Sequence, residues 1–428
     1  HWVYSVYSSD RNKMGSPGDW RLVDFERRLD TNFNLGREYF YTRIIKKKGM
    51  IHMKSIRSKR ITIDFIVECI KKCFKHKYHR TDVCKFIDSY TNGELSTEDV
   101  KMIAKNHETR ELLYFYYKSM AIEFYNEIIN QTLQFEPLVT SERVDNSSGK
   151  IRLISVESIK QQIFDYICVN MMHDIFKRRL GTYQCASIPN RGQIYALNAI
   201  NKWKQNVYST RYFVKTDVTN YFHSIDHQKI YNMIYKYTQN EQLMYVIGVI
   251  LNTYEEGLSI GSYLSQYMAN LFLSDVYREL TENYVITRKN KTYKPVKHML
   301  IYMDDIIIFT HNKKDAKYAL NKLTELISLK ELSIHNTIIM KFENDTYIDV
   351  VGYKIYRNRV IIRKRNYNKI RKLVINTRRR KYKIKDGYSI VSYNGVIIHC
   401  DSFKIAKRLG FTKLNNFSKN VISDIMSL

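Results

Sequence analysis

Proline is scarce in this chain, at four residues in 428, and glycine is modest at 15. So little of either argues against a long disordered linker. Apolar runs are also short. The longest, Met244 to Leu251, falls well below the roughly 18–20 residues that span a bilayer. No signal peptide is visible at the N-terminus, where Trp2, Tyr4 and Tyr7 mix with Ser8, Asp10 and Arg11. The chain opens at His1 rather than Met, which suggests that an initiator or short leader is missing. Cys69, Cys73, Cys84, Cys168, Cys185 and Cys400 show neither a CxxC pair nor zinc-ligand spacing, so they read as free thiols in a reducing compartment. Acid is the remaining shortage. Against 70 Lys and Arg stand 42 Asp and Glu, and the net charge of +28 far exceeds what solubility requires. It implies a polyanionic partner, either nucleic acid or an anionic membrane surface. With 35 tyrosines beside those bases, the composition suits a protein that stacks bases and clamps phosphates.

The length allows two or three cores, at about 100–200 residues per domain. Residues 1–110 read as a mainly helical basic extension, with clusters at Lys46, Lys47 and Lys48 and from Lys54 to Arg60. Ser96 with Asp99 has the pattern of a capping box. A helix is expected from about Arg110 to Leu133, with Tyr114, Tyr116, Tyr117, Met120 and Phe124 on its apolar side. From Glu136 the texture changes to strands and turns. Asp145 to Lys150 reads as a hairpin-like turn into Ile151–Ser155, followed by a helix from Ser158 to about Arg178. Gln184 to Gln193 reads as a loop opening another helix. Arg363 to Lys385 holds twelve Lys or Arg and no acid, a run that repels itself without a counter-anion and so points to nucleic-acid contact. Within it Arg378, Arg379, Arg380 and Lys381 are candidate contacts, alongside Lys46, Lys47 and Lys48.

The chemistry concentrates in three stretches. In Ile301-Tyr302-Met303-Asp304-Asp305-Ile306-Ile307-Ile308-Phe309, two adjacent carboxylates interrupt an apolar, β-branched run that reads as two short strands. Burying paired like charges is costly unless something positive sits beside them, and a divalent metal is the usual answer. Upstream, an apolar strand from Phe213 ends in Asp217, with Val218, Phe222 and Asp226 following it. Taken alone, Asp217 serves equally well as a helix N-cap. Between the two lies Gly257 to Leu271, a glycine-containing turn feeding a small-residue helix, which lets a nucleotide approach the backbone closely. Phosphoryl transfer by two metals needs carboxylates bridging ions about 3.5–4 Å apart. Asp217 and Asp304 would bridge the ions, Val218 could lend its carbonyl, and Asp305 would be a peripheral ligand or a neighbour tuning the site.

The Asp-Asp turn resembles the motif C hairpin of palm-fold polymerases, and its Tyr-Met-Asp-Asp spelling resembles reverse transcriptases. With Asp217 and the Gly257–Leu271 segment, three motifs occur in the order of that family. Over roughly residues 136–400 the chain resembles bacterial reverse transcriptases of the group II intron, retron and diversity-generating lineage. It is most like the defence-associated enzymes of the unknown groups. The resemblance implies an α+β right-hand fold: fingers at 111–211, a palm at 212–365 built on an antiparallel sheet, and a basic helical thumb at 366–428. It implies that Lys150 and Arg152 hold the incoming triphosphate and that Phe222 is the steric gate against a ribose 2′-hydroxyl. Ile260, Gly261 and Gln266 would contact the nucleotide. Ile348–Ile355 resembles the post-palm strand that grips the primer, and Ser392–Gly395 and Ser402–Lys404 resemble thumb elements.

Two departures matter. Leu258-Ser259-Ile260-Gly261 stands where most relatives carry Leu-Pro-Gln-Gly, and Ala186–Pro189 departs from the usual Gly-Phe-Arg pattern. The tail after Lys385 fits no maturase zinc segment, endonuclease motif or ribonuclease H carboxylate set. The expectation is a cytoplasmic bacterial RNA-directed DNA polymerase that uses Mg2+, with Mn2+ as a substitute, and works in anti-phage defence. Its partners would be a dedicated structured non-coding RNA, the cDNA product and dNTPs, with no membrane; its oligomeric state stays open. The alternatives are a low-fidelity diversity-generating enzyme, template-independent or protein-primed synthesis, and a non-catalytic RNA-binding scaffold.

Overall fold

The computed structural model describes residues 59–426 apart from 107, 145–150 and 381, all within one compact unit running from Lys54 to Leu428. It begins with α1 (Ile63–Phe74), α2 (Thr81–Asp88), α3 (Thr97–Lys105) and, after a 3-10 turn, α4 (Tyr114–Ile129). Apolar residues three and four apart decide the packing. α1 buries Ile66, Cys69, Ile70, Cys73 and Phe74 against α4, which buries Tyr117, Met120, Ala121, Phe124 and Ile128. The expected capping box opens α3: the Ser96 hydroxyl accepts from the Asp99 N–H, and the Asp99 carboxylate accepts from the Ser96 N–H.

A hairpin of β1 (Val139–Val144) and β2 (Ile151–Val156) follows, pairing Val144 with Ile151. The helix expected from Ser158 to Arg178 is two helices, α5 (Ile159–Met171) and α6 (His173–Arg179). Ser158 caps the first, and Met172 leaves the helical region between them at φ −85°, ψ 5°. α7 (Gln193–Trp203) leads into the main sheet.

That sheet has four antiparallel strands. β3 (Tyr212–Val218) comes first in the chain, followed by α8 (His227–Tyr237), α9 (Glu241–Leu251), α10 (Tyr263–Phe272), α11 (Ser274–Arg278) and a small ribbon of β4 (Ile286–Arg288) with β5 (Lys291–Tyr293). Then come β6 (Val296–Tyr302), β7 (Asp305–Thr310), α12 (Lys313–Ser328) and β8 (Ile334–Lys341). The spatial order is β6-β7-β3-β8. Side chains alternate between faces with period two, and each face has its own core. Val214, Val218, Ile306 and Ile308 join the larger core with Ala316, Ala319 and Leu323 of α12. Phe213, Ile307 and Phe309 join the second core with Ala196, Leu197, Ile200 and Trp203 of α7.

The chain then forms a second sheet, β9 (Tyr347–Val350), β10 (Tyr353–Tyr356) and β11 (Val360–Ile362), in the order β11-β10-β9. The expected single strand over Ile348–Ile355 is therefore two. Val351 and Gly352 turn between them at φ +45° and +91°, and glycine takes that conformation without steric cost. α13 (Lys364–Arg379), α14 (Ile384–Ile397), α15 (Phe403–Arg408) and α16 (Phe411–Met426) close the chain around Ile370, Val374, Ile390 and Phe411. Among the described residues no helix is long and apolar enough to cross a membrane. Cys69, Cys73, Cys84, Cys168, Cys185 and Cys400 are free thiols, all buried except Cys400, which is half-buried.

Candidate active site

The period of two explains how the acidic residues come together. Phe213, Lys215 and Asp217 lie on one face of β3, and Asp305, Ile307 and Phe309 lie on the matching face of β7. At one end this face is filled by Phe213, Ile307 and Phe309. At the other end it presents Lys215, Asp217 and Asp305, with Asp217 directly opposite Asp305 in the register. The hairpin between β6 and β7 turns through Met303 and Asp304. Met303 sits at φ +56°, a left-handed conformation that costs about 1–2 kcal/mol for a side-chain-bearing residue. The Asp304 carbonyl accepts from the Val218 N–H at 3.0 Å and fastens the turn to the end of β3. The Asp304 side chain is exposed, whereas Asp217 and Asp305 are half-buried.

Two residues that the motifs did not point to complete this cluster. The Lys215 ammonium lies 3.2 Å from Asp217 Oδ1 and 3.0 Å from Asp305 Oδ1, bridging the two carboxylates. Its position two residues before Asp217 was the available signal, since period two puts both on one face. The second is Asn336, in edge strand β8, which donates to Asp217 Oδ2 at 3.3 Å. A break in the β3–β8 register between Lys215 and Asp217, with Asn336 at φ +51°, lets the side chain reach across. Nothing local in the sequence announces that bulge.

The electrostatics follow from this placement. Burial works to raise Asp217, but the hydrogen bond with Asp305, the Lys215 charge and the Asn336 amide outweigh it and hold the group below the usual carboxylate range. Burial and then the Asp217 carboxylate push Asp305 up to about 7. The pair therefore falls short of two full negative charges near neutrality, with one ammonium between them. Among the described residues no three His, Cys, Asp or Glu side chains are arranged to close around a metal ion.

The described nucleotide candidates lie on the segment after β3, on the turn before α10 and in α10. Phe222 is half-buried, its ring 6.0 Å from that of Tyr221 in an edge-on arrangement. Its carbonyl accepts from the Leu258 N–H at 2.8 Å, which ties the Gly257–Ser262 turn to the segment after β3. Gly257 is at φ +62°, and a Cβ there would collide with the carbonyls of Phe222 and His223. A Cβ on Gly261 would lie 2.6 Å from the Ser155 carbonyl oxygen, so the same turn also packs against β2. Ile260 is 41% exposed and available to a ligand, and Gln266 is half-buried in α10. Arg152 lies in β2, three residues before Ser155; its side chain, Lys150, Lys46, Lys47, Lys48 and Lys381 lie outside the described residues.

Residues 144–355 match the family described as reverse transcriptase (RNA-dependent DNA polymerase). The chain carries a reverse transcriptase domain. No curated protein matches the chain. The domain is that of an RNA-directed DNA polymerase, a nucleotidyltransferase, and it implies the right-hand polymerase fold, with which the mixed helix and sheet agree. An RNA template, dNTPs and a cDNA product come with a reverse transcriptase domain in general, as does use of a divalent metal. The donors here are carboxylate oxygens, which suit a hard cation such as Mg2+.

The basic run beyond the reverse transcriptase domain divides by use. Lys364, Arg365, Asn368, Lys369 and Lys372 line a shallow concavity on α13. Arg378, Arg379 and Arg380 are all exposed, but their bonds differ. Arg380 forks onto Asp386 with two 2.9 Å contacts, and Arg378 donates to the Leu409 carbonyl. The run is therefore not uniform in its bonds: Asp386, one residue past its end, is a built-in counter-anion for Arg380.

Proposed function

We propose that this protein copies a structured non-coding RNA into cDNA, with Asp217, Asp304 and Asp305 as the catalytic carboxylates. The observation that carries the reading is the meeting of Asp217 and Asp305 in one strand register beside the Met303-Asp304 turn, inside the matched domain. Asp217, Asp304 and Asp305, with the Val218 carbonyl, would hold Mg2+ ions, which when bound supply charge neutralisation at the triphosphate and lower the pKa of the primer hydroxyl. Lys215 holds Asp217 and Asp305 in place by bridging them. Phe222 closes the floor of the nucleotide site as a gate against a 2′-hydroxyl, and Ile260 and Gly261 present an apolar edge and bare backbone to the nascent base pair. Lys150 and Arg152 serve the triphosphate, Gln266 supports the turn from α10, and the α13 concavity with Arg379 serves backbone phosphates.

An anti-phage role and a bacterial cytoplasmic setting belong to the same proposal and rest on resemblance to the defence-associated lineage. The test is to purify the chain with its genomic neighbourhood intact and sequence the nucleic acids that come with it. One dominant structured RNA with complementary DNA supports a dedicated template. Heterogeneous RNA with no matching DNA would shift the reading to untemplated synthesis or to a scaffold.

A further inference from the structure

Behind the turn that carries Ile260 and Gly261 lies a buried polar cluster that the catalytic reading leaves unused. Glu157, just past β2, is 6% exposed, and Asp165, in α5, is 0% exposed. Their other partners are neutral. Asp165 Oδ2 accepts from the Ser262 hydroxyl at 2.7 Å and from the Leu264 N–H at 3.0 Å. Glu157 Oε1 accepts from the Tyr254 hydroxyl at 2.9 Å. Ser262 Oγ in turn accepts from the Ser265 N–H at 3.1 Å, capping α10. Ser262 and Ser265 are fully buried as well.

Two adjacent carboxyls in such a place cannot both be ionised, so one holds a proton. Burial and then the Asp165 charge push Glu157 well up, while for Asp165 the Leu264 N–H and the Ser262 hydroxyl partly offset burial and leave it at about 6. The two carboxyls share that proton. Asp165 Oδ1 is buried with no hydrogen-bond partner among the described residues, which leaves it open to accept the shared proton. The remaining titratable groups facing the pair are Tyr254, Tyr263, Cys168 and Cys73, all pushed up and neutral near pH 7, with the Lys77 ammonium beyond Cys73.

We propose that Glu157 and Asp165 are positioning residues for the nucleotide site, joining the end of β2 to Ser262 and the start of α10 so that Ile260 and Gly261 are held at the incoming base pair. The inference rests on the nucleotide reading of that turn. The geometry explains why hydrophobic residues would not serve. Asp165 accepts from both the Leu264 N–H and the Ser262 hydroxyl, and the turn it fixes is also clamped to Ser155 on one side and Phe222 on the other. Loosening it shifts the nucleotide platform without touching Asp217, Asp304 or Asp305.

The test is steady-state primer extension by the full chain on an RNA template with a DNA primer, alongside thermal unfolding. Asp165→Ala is expected to raise the dNTP KM about tenfold, equivalent to about 1.4 kcal/mol, with kcat within about threefold. Asp165→Asn, which keeps an acceptor for Ser262 and Leu264, is expected to bring KM back to within about threefold of wild type. If Asp165→Ala does not fold, Ser262→Ala removes the same link at less cost and should raise KM in the same direction. An unchanged KM in the folded variants, with only a lower unfolding temperature, would overturn the inference. A folded wild-type chain that incorporates no dNTP would instead overturn the functional reading beneath it.

Discussion

Asp217 and Asp305 meet at the open end of a sheet, half-buried, with the Lys215 ammonium within 3.2 Å of each. Glu157 and Asp165 meet in the interior among hydroxyls and a backbone N–H, and their charge is limited by a proton. The difference is exposure. A pair that solvent can reach can exchange one cation for another, so on the proposed reading Lys215 keeps the carboxylates together and would give way to Mg2+. A pair sealed from solvent can hold little beyond a proton, which makes it rigid and suits it to positioning. On the proposed reading, the open pair serves the chemistry and the sealed pair the geometry of the nucleotide site.

The largest effect should come from the acidic cluster at the β6–β7 turn. Asp304→Ala with Asp305→Ala should cut nucleotide incorporation at least about 1000-fold, a barrier increase of roughly 4 kcal/mol, while leaving RNA binding nearly intact. Residual synthesis near the wild-type rate would break the contrast between a chemical pair and a positioning pair. Next is the bridging cation. Lys215→Met in metal-free buffer should lower folding stability by about 1–3 kcal/mol, since two carboxylates then face each other without an ammonium. Added Mg2+ should restore more stability to the variant than to the wild type. Equal Mg2+ shifts in unfolding temperature would show that Lys215 does not occupy the cation's place.

The buried pair predicts a pH effect of opposite character. Burial raises Asp165 to about 6, above its usual 3.8, and raises Glu157 as well, so the folded chain holds protons that the unfolded chain has released. That contribution to stability is complete below about 3.8 and is lost as pH rises through 6. Measured against the charge-free Glu157→Gln/Asp165→Asn double variant, wild-type stability should fall by on the order of 1–3 kcal/mol between pH 4 and pH 7. A flat difference would mean that the pair does not share a proton. The smallest effect separates two neighbouring arginines. Arg379→Gln should flatten the salt dependence of nucleic-acid binding by up to about 0.9 log unit per lost duplex phosphate contact, with unfolding unchanged. Arg380→Gln should mainly lower the unfolding temperature, because Asp386 loses its fork. Identical behaviour of the two variants would return the whole run to one role.

What could be read from the sequence tracks how local the cause is. The β6–β7 hairpin, the strand ending in Asp217 and the α3 capping box depend on residues within one turn or one strand, and each appears where its pattern put it. The motif order also anticipated the reverse transcriptase domain. The N-cap reading of Asp217 gave way because the helix after β3 begins at His227 with Asp226 as its cap. Lys215 was legible in principle from alternation. Asn336 was not, because a register break places it, and neither was the Glu157–Asp165 contact, because a strand end, a helix and a distant turn must converge to make it. The Arg380–Asp386 fork was hidden by attention to a run that stops one residue short of its partner.

Template-directed DNA synthesis by the purified chain is the most direct measurement. Two RNA templates of different sequence, each with the same primer, would be offered all four dNTPs with Mg2+, and the products sequenced. The expected result is DNA complementary to whichever RNA was supplied, absent with Asp304→Ala/Asp305→Ala. Product whose sequence ignores the template, or synthesis that survives that substitution, would contradict an RNA-directed polymerase built on these carboxylates.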